Sequence, residues 1–380
     1  MRKQNNILLV ANWDSNVGYA WWLMENFWIT IADHLKSKGI DSFLIYPKIT
    51  GIPETIAATN ISVIQHDFQD TSIKGLTALR RIIKQNNIRH IYLTDKPAFS
   101  WFYFILRFWG VKTILVHDHT PGERTVATGI KFAIKSFIQR IPLFTADQFI
   151  AVTEYVYNRH LKVSCIPESK CNCAPNGIFP IDLEAADFDY THKEFNIPKD
   201  KTIVATTGRA TYYKGIDFFI ECANELINNQ GRKEFFFLYC GDGPDIVSFK
   251  QMVKSYNLLN NFIFAGRRSD IRNILPSCDI GLHCATGEVG YSLSILEYMS
   301  AGLVTVVPDN PSTSLAIKHG INGYTYTPHD TQSAVENILI SSEIERTGRI
   351  TKKAIDDVNT KYNIDITNES LRKIIDQNIH

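Results

Sequence analysis

From residue 7 onward, short runs of β-branched and apolar residues alternate with longer stretches whose apolar positions recur every three or four residues. The runs are ILLVA (7–11), DSFLIYP (41–47), ISVIQ (61–65), IRHIYLT (88–94) and KTILVH (112–117). Runs of this length and composition predict strands, and the helical pattern between them predicts parallel pairing through crossover helices. In the first helical stretch Trp21, Met24, Trp28, Ile31 and Leu35 form one apolar stripe, which assigns them to the core. After residue 200 the design repeats, with KTIVATT, EFFFLYC, NFIFAG, DIGLHC and LVTVVP as strands. Between the two series lies APNGIFPIDLEAADFDY (174–190), whose Pro, Gly and Asp residues punctuate regular structure and read as a linker. The pattern predicts two α/β domains, residues 1–178 and 179–358, and a terminal segment 359–380 with Leu371, Ile374 and Ile375 on one apolar face. Parallel sheets bind ligands beyond the carboxyl ends of their strands, so two facing sheets would share a central cleft.

Length agrees, because 380 residues exceed what one hydrophobic core usually serves. Forty Lys and Arg against thirty-nine Asp and Glu leave a net charge of +1, which gives no electrostatic footprint for nucleic acid. Before Asn12 only five apolar residues follow the basic start, too few for a signal-peptide core. The most apolar stretch, WFYFILRFW (101–109), is interrupted by Arg107 and far too short to span a bilayer. Seven cysteines are an odd number, and Cys165, Cys171 and Cys173 lack the paired spacing of a zinc site. These features predict a cytoplasmic protein with reduced thiols. The stretch GIKFAIKSFIQRIPLF (129–144) mixes Lys131, Lys135 and Arg140 with Phe132, Ile134, Phe137 and Ile138. Its period is that of an ordinary helix packed on a sheet, the commoner use of the pattern, and also that of a helix making peripheral contact with a membrane surface.

The densest chemistry lies in the second half. There a strand ends in TTGRATYYKGIDFFIECANEL, placing Arg209 and Lys214 on a loop that opens a helix, where two cations would meet an anion. Further on, GEVGYSLSILEYMSAG brings Gly290, Tyr291 and Ser292 into a second helix start, with Glu297 inside the helix. Ser294 and Glu297 fit a capping box, but a start at Ser294 leaves barely two turns before Gly302; a start near Ser292 frees Glu297 for a ligand hydroxyl.

With GDGP (241–244), FAGRRSD (264–270), GYSLSILEYMSAG (290–302) and HGINGYTYTP (319–328) in this order, and FIAVTEYV (149–156) followed by APNG (174–177) in the first half, the chain resembles the family 4 retaining glycosyltransferases of the GT-B fold. The resemblance implies two Rossmann-like domains facing a central cleft, with the last helix returning to the N-terminal domain. It implies a saccharide or lipid-linked saccharide acceptor, a nucleotide diphosphate-sugar donor, retention of configuration, a role in envelope polysaccharide or glycolipid assembly, and no metal or other cofactor. Carried onto this sequence, Arg209 and Lys214 hold the diphosphate with the amides near Tyr291, Ser292 and Leu293. Glu297 binds the ribose, and Arg267 and Arg268 lie near the base. Gly18, in the loop Asn16–Val17–Gly18, stands at the family's glycine-rich turn. His117 lies next to the donor sugar, with His119 too close in sequence to separate from it. Trp13 and Trp22 are the tryptophans placed to stack on an acceptor sugar. One departure stands out: the family's two glutamates have seven residues between them, whereas Glu288 and Glu297 have eight, so that Val289 occupies the first carboxylate's place. Flexible Gly287 and Gly290 favour recruitment of Glu288 to that role.

Parts of the sequence also fit other chemistries. His117-Asp118-His119 has the spacing of a metal-dependent hydrolase ligand pair, though no further ligand cluster recurs at strand ends. Asp187-Phe188-Asp189 has the D-x-D form of a metal site but falls in the linker, where two solvated acids are expected. A nicotinamide oxidoreductase is disfavoured because Gly241-Asp242-Gly243 has Ile246 where the third glycine belongs. A non-catalytic nucleotide-sugar-binding protein remains compatible with the same residues.

Overall fold

The structure is a computed structural model that describes residues 5–15, 17 and 21–379. The chain divides into two compact units, the first made of Met1–Thr120, Arg124–Pro175 and Asp365–His380, the second of Pro121–Glu123 and Asn176–Ile364.

The first unit carries a seven-stranded sheet built from β1 (Asn6–Val10), β2 (Ser42–Tyr46), β3 (Ser62–Gln65), β4 (Ile88–Thr94), β5 (Thr113–Asp118), β6 (Gln148–Ala151) and β7 (Cys171–Cys173). Its order is β3-β2-β1-β4-β5-β6-β7, and every pairing is parallel. The second unit carries β8 (Thr202–Thr207), β9 (Phe235–Cys240), β10 (Phe262–Gly266), β11 (Ile280–Leu282), β12 (Val304–Pro308) and β13 (Tyr324–Tyr326), in the order β10-β9-β8-β11-β12-β13. Both are doubly wound Rossmann sheets, in which the strand order reverses beside the first strand. The central strands of both sheets are buried on both faces. In β9, Phe235, Phe237 and Tyr239 join one core, while Phe236, Leu238 and Cys240 join another, as a two-residue side-chain period requires of a sheet covered by helices on both sides.

The Trp21–Lys36 helix buries Met24, Trp28, Ile31 and Leu35, with the Trp28 ring edge-on to Tyr46 at 5.8 Å. The Gly129–Ile138 helix departs from the packed-helix expectation, because none of its residues is buried. Among the described residues no helix is long and apolar enough to cross a membrane. All seven cysteines are free thiols.

The breaks between units fall after Pro175 and after Ile364, where the sequence pattern set them after 178 and 358. The cause is local pairing. Ile178 N–H donates to Tyr362 O at 2.8 Å and Ile364 N–H to Ile178 O at 2.9 Å, which fastens both connecting segments to the second unit. Beyond that point the Ile364–Asn378 helix belongs to the first unit. It buries Leu371, Ile374 and Ile375, Asn26 Nδ2 donates to Asn368 Oδ1 at 2.7 Å, and His34 Nε2 lies 2.6 Å from Asp376 Oδ1. Three buried aliphatic side chains contribute about 1.5–3 kcal/mol each, a large share of the stability of an ordinary domain. A protein ending at Thr360 is therefore expected to show a markedly lower Tm and faster proteolysis of its first unit. Unchanged melting and proteolysis would count against the helix as a structural part of that unit.

Candidate functional site

In the second unit the strand order reverses between β8 and β11, so the loops leaving those two strands open onto a ready ligand position. The first of these loops, residues 208–215, is held by close backbone approach. A Cβ on Gly241 would fall 1.8 Å from Gly208 O, and one on Gly243 would fall 2.6 Å from Ala210 O. Ala210 N–H donates to Asp242 O at 3.0 Å, and Asp245 N–H returns to Ala210 O at 3.1 Å. The GDGP segment thus clamps the Arg209 loop, and its two glycines are there for space. Gly215 has φ 69°, and a Cβ on it would strike Cys284 at 2.7 Å, which presses the start of the Ile216–Asn224 helix against the loop after β11.

Across this contact the structure brings together two of the expected site residues. Lys214 Nζ donates to Glu288 Oε1 at 2.6 Å, and His283 Nε2 lies 3.4 Å from the same oxygen. Glu288 is 6% exposed. Burial by itself would raise its pKa, but Lys214 and His283 hold the carboxyl down at about 2. On the other side of the imidazole, Nδ1 lies 3.4 Å from the Ser294 hydroxyl and 3.5 Å from that of Ser292. The Tyr213 hydroxyl donates to Gly287 O, which fixes the loop ahead of Glu288. Arg209, on the same loop as Lys214, is exposed.

The Leu293–Ser300 helix starts where the second sequence option placed it. Ser292 is its N-cap and accepts from Ile295 N–H at 3.4 Å, so the Ser294–Glu297 capping box is not formed. The amides of the first turn have no intrahelical acceptors, and the positive end of the helix dipole lies there. Glu297 is half-buried, and burial pushes its carboxyl up to about 7, with Arg272 pulling the other way. Gly290 has φ 116°; its N–H donates to Ser312 O at 2.7 Å. Tyr291 is buried, and its hydroxyl donates to Asn176 O at 3.0 Å, an anchoring role for the side chain. Arg267 is exposed. The Arg268 guanidinium is engaged by Asp270 at 2.6 Å and Glu194 at 2.7 Å, which occupies it within the fold.

In the first unit, His117 is the penultimate residue of β5 and fully buried, with Nδ1 2.5 Å from the Tyr92 hydroxyl; burial holds it neutral. The His119 ring lies 4.3 Å from that of His117, and its backbone N–H donates to Asp95 Oδ1 at 2.6 Å. Among the described residues no three or more His, Cys, Asp or Glu gather as a metal ion would require. Trp13 is 63% exposed and lines a depression with Asn12, Asp14, Pro47, Asp67 and Gln69 beyond the ends of β1, β2 and β3. Trp22 is half-buried on the first helix. Asn16 and Gly18 lie outside the described residues. Asp187 and Asp189 are paired with Lys193 and Lys199 at 3.0 and 2.6 Å on the surface, as solvated acids. Three contributors escaped the sequence reading: His283, Gly215 and Asp95. His283 alone had a visible signal, a polar residue near the end of an otherwise apolar strand run.

Residues 187–356 match the family of glycosyl transferases group 1, and residues 24–180 match glycosyltransferase family 4. Among curated proteins the chain is similar to the GPI3 subunit of phosphatidylinositol N-acetylglucosaminyltransferase from Saccharomyces cerevisiae, 24% identical over 50% of this chain. It is also similar to the O-antigen biosynthesis glycosyltransferase WclY of Escherichia coli, 26% identical over 38% of this chain. The chain spans 44% of the first relative's length and 39% of the second's. Among solved structures, Anabaena HepE in complex with UDP and glucose superposes with a TM-score of 0.73 at 15% identity, covering 98% of this chain and all of that one. That likeness establishes the GT-B fold. Each half of the chain thus carries a match to a glycosyltransferase family model, the second half to group 1.

Proposed function

We propose that this protein transfers a sugar, with retention of configuration, from a nucleotide diphosphate-sugar to a saccharide or lipid-linked saccharide on the cytoplasmic side of the cell envelope. The observation that carries this reading is the arrangement in the second unit: Lys214, Arg209 and a helix N-terminus share the strand-order reversal with two carboxylates, Glu288 and Glu297. When the bond from the anomeric carbon to the β-phosphate oxygen breaks, negative charge develops on that phosphate. Fixed cations and helix-terminal amides stabilise such charge without reorganising. Arg209 and Lys214 take this role, with amides at Tyr291, Ser292 and Leu293. Glu297 meets the ribose hydroxyls, and Arg267, whose partner Arg268 is otherwise engaged, lies nearer the base. On the acceptor side the assignments are His117, His119, Trp13, Trp22 and the Gly18 turn. Retention follows if the acceptor hydroxyl attacks the face the phosphate leaves and gives its proton to a departing phosphate oxygen. The HepE complex with UDP and glucose and the O-antigen role named for WclY support the donor class and the envelope setting.

Arg209→Ala and Lys214→Ala are each expected to lower kcat/KM by about a hundredfold or more, the scale of losing one charge-stabilising donor. Wild-type kinetics and donor affinity in both variants would remove the site assignment. A saturating chelator is expected to leave the rate unchanged, since side-chain cations serve the leaving group; activity lost to EDTA and restored by magnesium or manganese would favour a metal mechanism. For Glu288 the expectation is a split. Glu288→Gln should slow turnover of the sugar nucleotide by about tenfold, the scale of a hydrogen bond to a charged group, while affinity for the free nucleotide diphosphate does not fall. Calorimetry and steady-state kinetics read the two quantities separately, and equal kinetics in the variant would show that the Glu288 carboxylate is not used in turnover.

A further inference from the structure

The Gly129–Ile138 helix is an anomaly of packing. It carries Ile130, Ile134 and Phe137 on one face at helical spacing, and these are 80%, 55% and 70% exposed. Its hold on the unit is polar: Lys135 Nζ donates to Val163 O at 2.9 Å. The neighbouring Trp101–Phe108 helix buries Tyr103 and Leu106 but leaves Trp101, Phe104 and Phe108 at 53%, 43% and 78% exposure. The Trp101–Phe108 helix is joined to the segment that follows the Gly129–Ile138 helix. Ser100 N–H donates to Phe144 O at 2.8 Å, and the Phe144 ring stacks on Phe99 at 5.7 Å and on Phe104 at 5.5 Å. One aromatic and aliphatic surface therefore runs from residues 99–108 into the segment that follows the Gly129–Ile138 helix. Exposed apolar surface of this extent on a water-soluble fold marks a place of contact.

The charges on this part of the chain identify the contact. Between residues 96 and 146 there are seven Lys and Arg and two acids, Asp118 and Glu123, in a chain whose overall charge is +1; of the seven, Arg107 is matched by Asp147 at 3.0 Å. Asp118 is turned inward to Arg159 and His160 at 3.1 and 2.9 Å. A second copy of the chain would bring a like-charged surface against this one if it docked face to face, which electrostatics disfavours. We infer that this face docks on an anionic lipid bilayer, with Ile130, Ile134 and Phe137 entering the boundary between headgroups and acyl chains and Lys131 and Arg140 at the level of the lipid phosphates. The inference goes beyond the sugar-transfer reading and does not rest on it, because lipid binding is measured without turnover.

The test is co-sedimentation of the full chain with vesicles of phosphatidylcholine alone and of phosphatidylcholine mixed with phosphatidylglycerol. Binding is expected to the mixed vesicles, to weaken as salt is raised, and to be slight on phosphatidylcholine alone. Ile134→Ser combined with Phe137→Ser should weaken it by about tenfold or more, as should Lys131→Glu on its own. Both variants alter exposed side chains, so their melting temperatures and circular dichroism should match wild type. Absence of binding to the mixed vesicles, or binding that the double variant leaves intact, would overturn the assignment. So would a dimer in light scattering that the double variant dissolves, since that outcome gives the face to a second copy.

Discussion

Parallel pairing throughout both sheets is the constraint on which the rest depends. Consecutive strands must be joined by crossovers, so helices cover both faces and the central strand residues are mostly apolar. The sheet interiors are accordingly apolar on alternate residues in two directions, as β9 shows. Chemistry is excluded from the strands and displaced to the loops at their carboxyl ends, all of which lie on one edge of the sheet. His117 and His283, at or just past a strand's carboxyl end, show the boundary at which polar function begins.

At that edge of the second unit the central element is the Lys214–Glu288 pair. Leaving a buried charge without its partner costs about 3–5 kcal/mol, whereas the intact pair adds little net stability. What it contributes is position. Lys214 belongs to the loop after β8 and Glu288 to the loop after β11, so the pair adds to the ties between two segments that also meet through Gly215 against Cys284 and through the Tyr213 hydroxyl on Gly287 O. Through His283 the same carboxylate is linked to Ser292, the cap of the Leu293–Ser300 helix. Cation, carboxylate and helix start therefore form one mechanical unit.

Legibility in the sequence followed the strength of local periodicity. Five strands in each half, the repeated design and the first helix's buried stripe were readable because runs such as KTIVATT and EFFFLYC are rich in β-branched and aromatic residues. Strands β6, β7 and β13, three or four residues each, were not assigned; β3 and β11 are as short but lie in the runs ISVIQ and DIGLHC. The loop cations and the helix start at Ser292 were readable from spacing. His283 was not, because its role comes from a carboxylate five residues away that reaches it only when the loop folds back. The Gly129–Ile138 helix misled in the opposite direction: its period is that of a packed helix, and only the lack of any covering element reveals that the apolar face is exposed.

The pairing of Lys214 also changes how the proposed donor site must work. Without ligand, the positive charge of Lys214 is already matched by Glu288, so a dianionic diphosphate would meet the free charge of Arg209 and the amide dipoles of a helix start, with Lys214 only partly available. Two features ease this imbalance. Glu288 accepts from Lys214 through Oε1, and an ammonium has three protons, so Lys214 can keep its bond to the carboxylate while donating to a phosphate oxygen. Burial raises the pKa of the Glu297 carboxyl to about 7, so in the proposed site it would add less negative charge than an ordinary carboxylate. A carboxyl in that state can donate a hydrogen bond to a ribose oxygen as well as accept one, so its elevated pKa suits a neighbour of the diphosphate better than a fully ionised glutamate would.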